Sequence, residues 1–588
     1  MMKISVQNNL PLNKLKKPSQ DNSSVCGLEK PVLRDPSTVM TLNKLGSAFP
    51  SRLSFMRILI RRMLKEKPKL KMIDSCLDRD GYGHAVISLS LGNRDYSLIG
   101  YTKKLNPKER TDRVIATKWD ACFCLFDGTP NKQQIMQLEK QVTNQEEGRY
   151  DKNILTLSRA NKSIRLFEHA LSQLSQGQQP KPEKLLESGY LMRTTAVYGN
   201  GKFGIADRQL IINQPGLTAP FQVEMLTVFL IREFTFFLIE HCAKLQGGKK
   251  SVKLNKNVKR YLGIGNSTGL GMAPFLMNHP CLLHSWVMAK EIALSRVLGL
   301  KKITEEQSNL LFKLIKRART HVSEWNVEDN CQMKRIKKVR RELECFEKIL
   351  ENVPKSLQFP LQYMFLKTDK LASETQELIV SVLIELAPEE VDNLEFCLAN
   401  PHRPELNPSM PLSELKEIIT DDYNWVSEIS FSKGKSDALF WYTSQEKLEP
   451  RLGKRYEEPG AELEMPFNIP QYVDKLSKEL TKHKKLSTTV GEFLLYHPHL
   501  RYIVRRIQNT RKYPYSEVRD NLVDETCRPI DLLRFKLAYF GASKFDPKSD
   551  RWTRITLFQG APSASDISEA TPDSEKALDD WIFSTLNE

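Results

Sequence analysis

The sequence predicts a helix-dominated α+β protein, with an N-terminal mixed α/β region built on an antiparallel sheet, a helical middle and a C-terminal α+β region. Three observations carry that expectation. Between His84 and Phe126, short runs of β-branched and aromatic residues end at turn signals such as Asp127-Gly128. From Phe221 to Val353, long segments repeat apolar residues at helical spacing. Beyond about Ala399, loops punctuated by Pro, Asn and Gly separate aromatic stretches. The organisation expected is a disordered arm over 1–46, a mixed α+β domain over 47–215, a helical domain over 216–395, a loop-rich α+β region over 396–561 and an acidic tail over 562–588. With 588 residues, 40% of them hydrophobic, the chain can bury sizeable cores without disulfides or metal.

Each element has its own signal. In Ser51–Lys65, Leu53, Met56, Ile60, Met63 and Leu64 form an apolar stripe, and Arg52, Arg57, Arg61, Arg62 and Lys65 fill the rest of the turn. This is a basic amphipathic helix ended before Pro68, its cations read as a solvated face. Strands are expected over His84–Leu91, Tyr96–Thr102 and Arg113–Phe126, and a helix over Ser158–Gln176. Tyr190–Tyr198 and Lys202–Ala206 flank Asn200-Gly201, a strong hairpin signal. The most hydrophobic stretch, Phe221–Leu245, contains Glu224, Arg232, Glu233 and Glu240, so it reads as a core helix and no transmembrane segment is expected. Helices follow over 281–298, 305–325, 330–353 and 374–386, the last opened by the capping-box text Ser373-Glu374-Thr375-Gln376. The pair over 305–353 is expected to fold back about residues 326–330. Further on, strands are expected over Asp437–Thr443 and Arg551–Phe558, and helices over Pro470–Lys482 and Thr489–Gln508, the second kinked at Pro498.

The N-terminus lacks the continuous apolar run of a secretory signal, and the ten cysteines are scattered without a CxxC pair or zinc spacing. Both features predict a cytoplasmic protein with reduced thiols. Cys122 and Cys124 would share one face of a strand as two small buried residues.

The text richest in chemical signal is Gly263 to Gly271, where Gly263, Gly265, Gly269 and Gly271 accompany Asn266, Ser267 and Thr268. Glycines let the backbone turn its N–H groups toward an anion, and the polar side chains add donors. The stretch is neither a P-loop nor a Rossmann fingerprint, because no Lys-Ser/Thr follows and Pro274 interrupts. Gly199-Asn-Gly201-Lys202-Phe-Gly204 matches GxGxxG and resembles the glycine loop of protein kinases over those few residues. The lysine strand, catalytic Asp and DFG of that family are absent. A tight hairpin accounts for these glycines, while Arg193 on the preceding strand and Lys202 offer cations to a ligand. His279, beside the first glycine stretch, and Asp207 are the candidate acid–base groups. No metal-ligand constellation occurs, so no metal is assigned, and no organic cofactor can be named.

These residues predict a cytoplasmic enzyme that binds an anionic small molecule (phosphorylated, nucleotide-like or carboxylate) in an interdomain cleft built on Gly-rich loops. The alternatives are a nucleic-acid-binding protein using basic helices 305–353 and 52–71, or a non-catalytic assembly protein that forms oligomers. Lys and Arg total 88 against 71 Asp and Glu, and the net charge of +17 permits all of these partners.

Overall fold

The structure, a computed structural model, describes residues 33–47, 49–109, 118–144, 152–199, 214, 216–266, 279–325, 330–354, 357–398, 404–431, 441–444, 450–452, 464–466, 469–483, 485, 487–519, 529–541, 544–547, 553–583 and 586. It is a helix-dominated α+β protein. The chain divides into two compact units, each assembled from separate stretches. One comprises Met1–Ser47, Leu270–Phe312 and Arg341–Phe535; the other comprises Ala48–Gly269, Lys313–Arg340 and Lys536–Glu588.

The second unit is built on a nine-stranded sheet in the order β1-β2-β3-β4-β5-β6-β7-β12-β11. Its strands are β1 Lys71–Leu77, β2 Gly83–Leu91, β3 Arg94–Thr102, β4 Ala121–Asp127, β5 Ile154–Lys162, β6 Tyr190–Gly199, β7 Gly263–Asn266, β11 Lys544–Pro547 and β12 Thr553–Leu557. Leu91 pairs with Arg94 across Gly92 and Asn93, both at φ 61°, the left-handed pair that a two-residue hairpin needs. Antiparallel pairing continues from β1 to β6. The chain then crosses through the helix Gln222–Gly247, and β7 returns parallel to β6.

That helix packs on one face of the sheet. Thr227 and Thr156 share a hydroxyl hydrogen bond of 2.6 Å, and the Phe234 and Phe123 rings meet edge-on at 5.2 Å. Gly100 makes room, since a Cβ there would lie 2.6 Å from the Phe234 ring. The helix Lys132–Asn144 covers the other face, where Ile135 and Leu138 join Cys122, Cys124 and Tyr101. Tyr101 fixes it by donating to the Ile135 carbonyl at 2.7 Å.

Several expectations are corrected here. Ser158–Lys162 is strand, not helix, and the helix is confined to Phe167–Ser175. Nearly every residue of β5 is buried, so this central strand lacks the alternation that would have marked it. The helix after Ser54 spans Phe55–Glu66 and ends at Lys67 in a left-handed cap, but its arginines are not a solvated face. Arg52, Arg57 and Arg61 are buried. Arg57 Nε lies 3.4 Å and Arg52 Nη2 3.1 Å from the Asp579 carboxylate, and Arg61 donates to the Arg52 carbonyl.

Asp579 belongs to the segment 562–588, which the sequence marked as an acidic tail. That segment folds into the helices Ala564–Ser568 and Pro572–Asp579 and buries Trp581, Ile582 and Phe583. Asp580 next to them accepts from Arg317 at 2.7 Å and Lys313 at 2.9 Å. The acidic residues thus supply counter-charges to cations that the core could not otherwise hold.

In the first unit, the helices Pro280–Leu298 and Ser373–Ile384 pack together with the segment 33–47, so part of the predicted disordered arm is folded. Residues 1–32 lie outside the described residues. The Ser373–Gln376 capping box does not form. Ala372 is the N-cap, and the Glu342 carboxylate accepts from its N–H at 3.1 Å and from the Thr375 hydroxyl.

A helical bundle of Leu412–Asp422, Ile469–Lys482, Val490–Tyr496 and Arg501–Thr510 has its own core around Leu415, Leu476, Phe493 and Ile503. The predicted Thr489–Gln508 helix is broken, with a short 3-10 turn at Pro498–Leu500 separating its halves. A small sheet pairs β8 Trp441–Ser444 with β9 Pro450–Leu452 and β10 Glu464–Pro466. The helices Glu305–Ser323 and Asn330–Glu351 form as expected. The turn between them, the Lys202–Ala206 strand and the start of the Arg113 strand lie outside the described residues.

Candidate functional site

Gly263, Gly265 and Asn266, the first half of the predicted glycine loop, are strand rather than loop: they form β7, buried between β6 and β12. Close packing explains the glycines. A Cβ on Gly263 would stand 2.3 Å from the Leu557 carbonyl, and one on Gly265 would stand 2.8 Å from three atoms of the Tyr190 ring. Neither has the positive φ of a loop glycine.

Arg193 lies on β6, opposite Gly265 on one side and Asn161 of β5 on the other. Thr194 lies opposite Asn266; its hydroxyl donates to the Gly265 carbonyl and accepts from Asn266 Nδ2, both at 3.4 Å. Arg193, Thr194, Asn161 and Asn266 are all buried. Asn161 Oδ1 accepts from the Asp120 N–H at 3.0 Å, and Asp120 in turn accepts from the Lys162 N–H at 3.0 Å. Buried polar side chains therefore lie on both faces of β5, β6 and β7, Arg193 and Asn161 on one and Thr194 and Asn266 on the other.

The pair β6 and β7 are the only parallel neighbours among the described strands. Their carboxyl ends point to the same edge of the sheet, and Asn266 ends at the level of Thr194. Arg193 and Thr194 are consecutive on β6, so their side chains leave opposite faces of the sheet: Arg193 shares a face with Asn161, Thr194 with Asn266. Both lie level with the carboxyl end of β7, and a planar guanidinium can grip an oxyanion with two parallel N–H donors. Ser267, Thr268, Gly269 and Gly271, and likewise Lys202 and Asp207, lie outside the described residues. His279 belongs to the other unit, where it is the N-cap residue of Pro280–Leu298 without a side-chain capping bond.

A second polar centre, in the first unit, was not read from the sequence. Arg34 donates to Glu291 at 2.7 and 2.8 Å and to Glu377 at 2.8 Å, and Lys290 reaches the other Glu377 oxygen at 2.5 Å. Lys44 bonds the neighbouring Gln376. Burial pushes the Glu377 carboxyl up, but Arg34 and Lys290 outweigh it and hold the group at about 2. Tyr515 donates its hydroxyl to the Arg34 carbonyl and its N–H to His284 Nδ1 at 3.1 Å. Burial pushes His284 down to about 4. Since the two carboxylates are matched by Arg34 and Lys290, this centre works as a joint between the 33–47 segment and two helices. Its one sequence signal was Lys290-Glu291 inside an apolar helix.

Burial pushes the Cys122 thiol up to about 11 and raises Cys124 further, which leaves both as unreactive neutral thiols. Among the described residues, no group of His, Cys, Asp and Glu has an arrangement that could hold a metal ion, and no helix is long and apolar enough to cross a membrane. No family model, curated protein or solved structure matches the chain.

Proposed function

We propose that the protein binds an anionic small molecule, phosphorylated, nucleotide-like or carboxylate, at the carboxyl ends of β6 and β7, with Arg193 as the charged partner. The observation that carries this reading is the parallel pair itself. In open α/β sheets, ligands sit outside the carboxyl ends of parallel strands, and here the glycine-rich sequence runs on as 200–204 after β6 and as 267–271 after β7. Asn266 and Thr194 are polar where a sheet core is ordinarily apolar, and backbone amides of a glycine-rich chain are natural anion donors. Catalysis in a cytoplasmic enzyme, with Asp207 as an acid–base group, belongs to the same proposal; His279 lies in the other unit and is not part of it.

Thermal-shift titration against phosphates, nucleotides and carboxylates tests it. Wild type is expected to be stabilised by at least one class. Arg193→Lys should weaken that response about tenfold and Arg193→Gln more, because the first keeps the charge without the fork. A panel that shifts Arg193→Gln as it shifts wild type would refute the reading.

The nucleic-acid alternative rests on the Asn330–Glu351 helix, which exposes Lys334, Lys337, Lys338, Arg340 and Arg341. The Phe55–Glu66 helix is a poor partner for it, because Arg57 and Arg61 on it, and Arg52 just before it, are buried. A gel shift that weakens steeply with salt and is lost in Lys334→Glu/Lys338→Glu would favour this alternative.

A further inference from the structure

We infer that one end of the 412–510 bundle is a docking surface for an anionic phospholipid membrane. Leu495 and Tyr496, consecutive at the end of the Val490–Tyr496 helix, are each 80% exposed, more than any other large hydrophobic residue described. An isolated exposed leucine is ordinary, but an aliphatic and a phenolic side chain projecting together at a helix end form a small apolar tip.

Glu492, on the same face of this helix, is held by its capping box with Thr489, and the neighbouring segments bring several cations near the tip. His483, which follows the Ile469–Lys482 helix, packs its ring 5.1 Å from Phe493 and 5.8 Å from His497, and Phe493 stacks on His497 at 4.5 Å. These contacts bring the end of one helix beside the end of the other. Lys482 and Lys485 flank His483 in sequence, and Arg501 opens the next helix four residues after His497; all three are exposed. Lys482 pairs with Glu479 at 2.7 Å. Between Ile469 and Tyr513, ten Lys and Arg stand against three Asp and Glu.

Charge complementarity and the chemistry of the tip together identify the occupant. Two projecting side chains are far too little apolar surface for a stable protein interface. A nucleic acid could stack on Tyr496 but would leave Leu495 against phosphate or water. An anionic bilayer takes both: leucine enters the acyl boundary, tyrosine sits at headgroup level, and lysine and arginine meet the lipid phosphates. The attachment is peripheral and does not depend on the ligand reading above.

The test is co-sedimentation of the full chain with vesicles of phosphatidylcholine alone and of phosphatidylcholine mixed with phosphatidylserine. The protein should pellet with the anionic vesicles and stay in solution with the neutral ones. Leu495→Ser/Tyr496→Ser and, separately, Lys485→Glu/Arg501→Glu should each weaken binding about tenfold or more. Because all four side chains are exposed, circular dichroism and melting should match wild type. Equal partition into both vesicles, no partition, or unchanged binding by both variants would overturn the inference. Self-association that depends on Leu495 and Tyr496 without vesicle binding would replace the membrane with a second copy of the chain. A Tyr496-dependent shift of a single-stranded oligonucleotide without vesicle binding would replace it with nucleic acid.

Discussion

Arg232 shows how far a residue's role can lie from its sequence context. In the text it is one charge breaking an apolar run; in the structure it is wholly buried and donates to the carbonyls of Leu262, Lys259, Ala561 and Pro562 at 2.7–3.0 Å and of Arg260 at 3.3 Å. Burial still drags its guanidinium down to about 10. Arg232→Met keeps the volume but leaves those carbonyls without their donor, so it should lower stability by about 3 kcal/mol or more in urea unfolding. Arg57 makes the same point: helical spacing placed it on a turn, but its partner Asp579 is 522 residues away. Acid titration should reveal two buried residues of the first unit. His284 stays neutral when folded, so the unfolded chain takes up its proton first. Its contribution is complete above pH 6.5 and declines as pH falls toward about 4. Glu377 is held below its ordinary value of 4.5, so its contribution is complete above that pH and is lost as pH falls toward about 2. Urea midpoints followed by tryptophan fluorescence should therefore fall in two stages, the first absent in His284→Gln and the second in Glu377→Gln.

At the level of elements, long helices and hairpin strands were legible because their periodicity is local. Pro280–Leu298, Asn330–Glu351 and β2–β3 lie within a few residues of their expected bounds. What failed was set by neighbours. β7 has four residues, two of them glycine, and no strand signal at all; only pairing with β6 and β12 makes it a strand. Gly263→Ala should consequently behave as a core mutation, costing about 2 kcal/mol or more through the Leu557 carbonyl contact. A loop glycine at open space would lose far less, and thermal melting distinguishes the two. Ser373-Glu374-Thr375-Gln376 carried a sound capping signal, yet Glu342 took over the helix start from another part of the chain. Glu342→Ala should lower stability by about 1 kcal/mol, the usual scale of a lost cap.

For the whole molecule, composition and element order were enough for a helix-dominated α+β fold, since counts of helical and strand segments survive errors at individual ones. The layout of charge was not legible. The surplus of +17 suggested broad basic faces, but Arg34, Arg52, Arg57, Arg61 and Arg232 are all interior, and the acidic end of the chain folds in to meet part of that charge. Of the candidate ligand residues, Arg193, Gly263, Gly265 and Asn266 converge on adjacent strands, a consequence of the crossover between β6 and β7 that no local pattern announces. The most direct measurement is native mass spectrometry of the freshly purified full chain beside Arg193→Gln, with the released small molecules identified after denaturation. Wild type should carry an anionic small molecule that Arg193→Gln has lost while keeping its fold by circular dichroism. Finding the same molecule on both proteins, or none on either with no response to added phosphates, nucleotides or carboxylates, would contradict an anion site at β6 and β7.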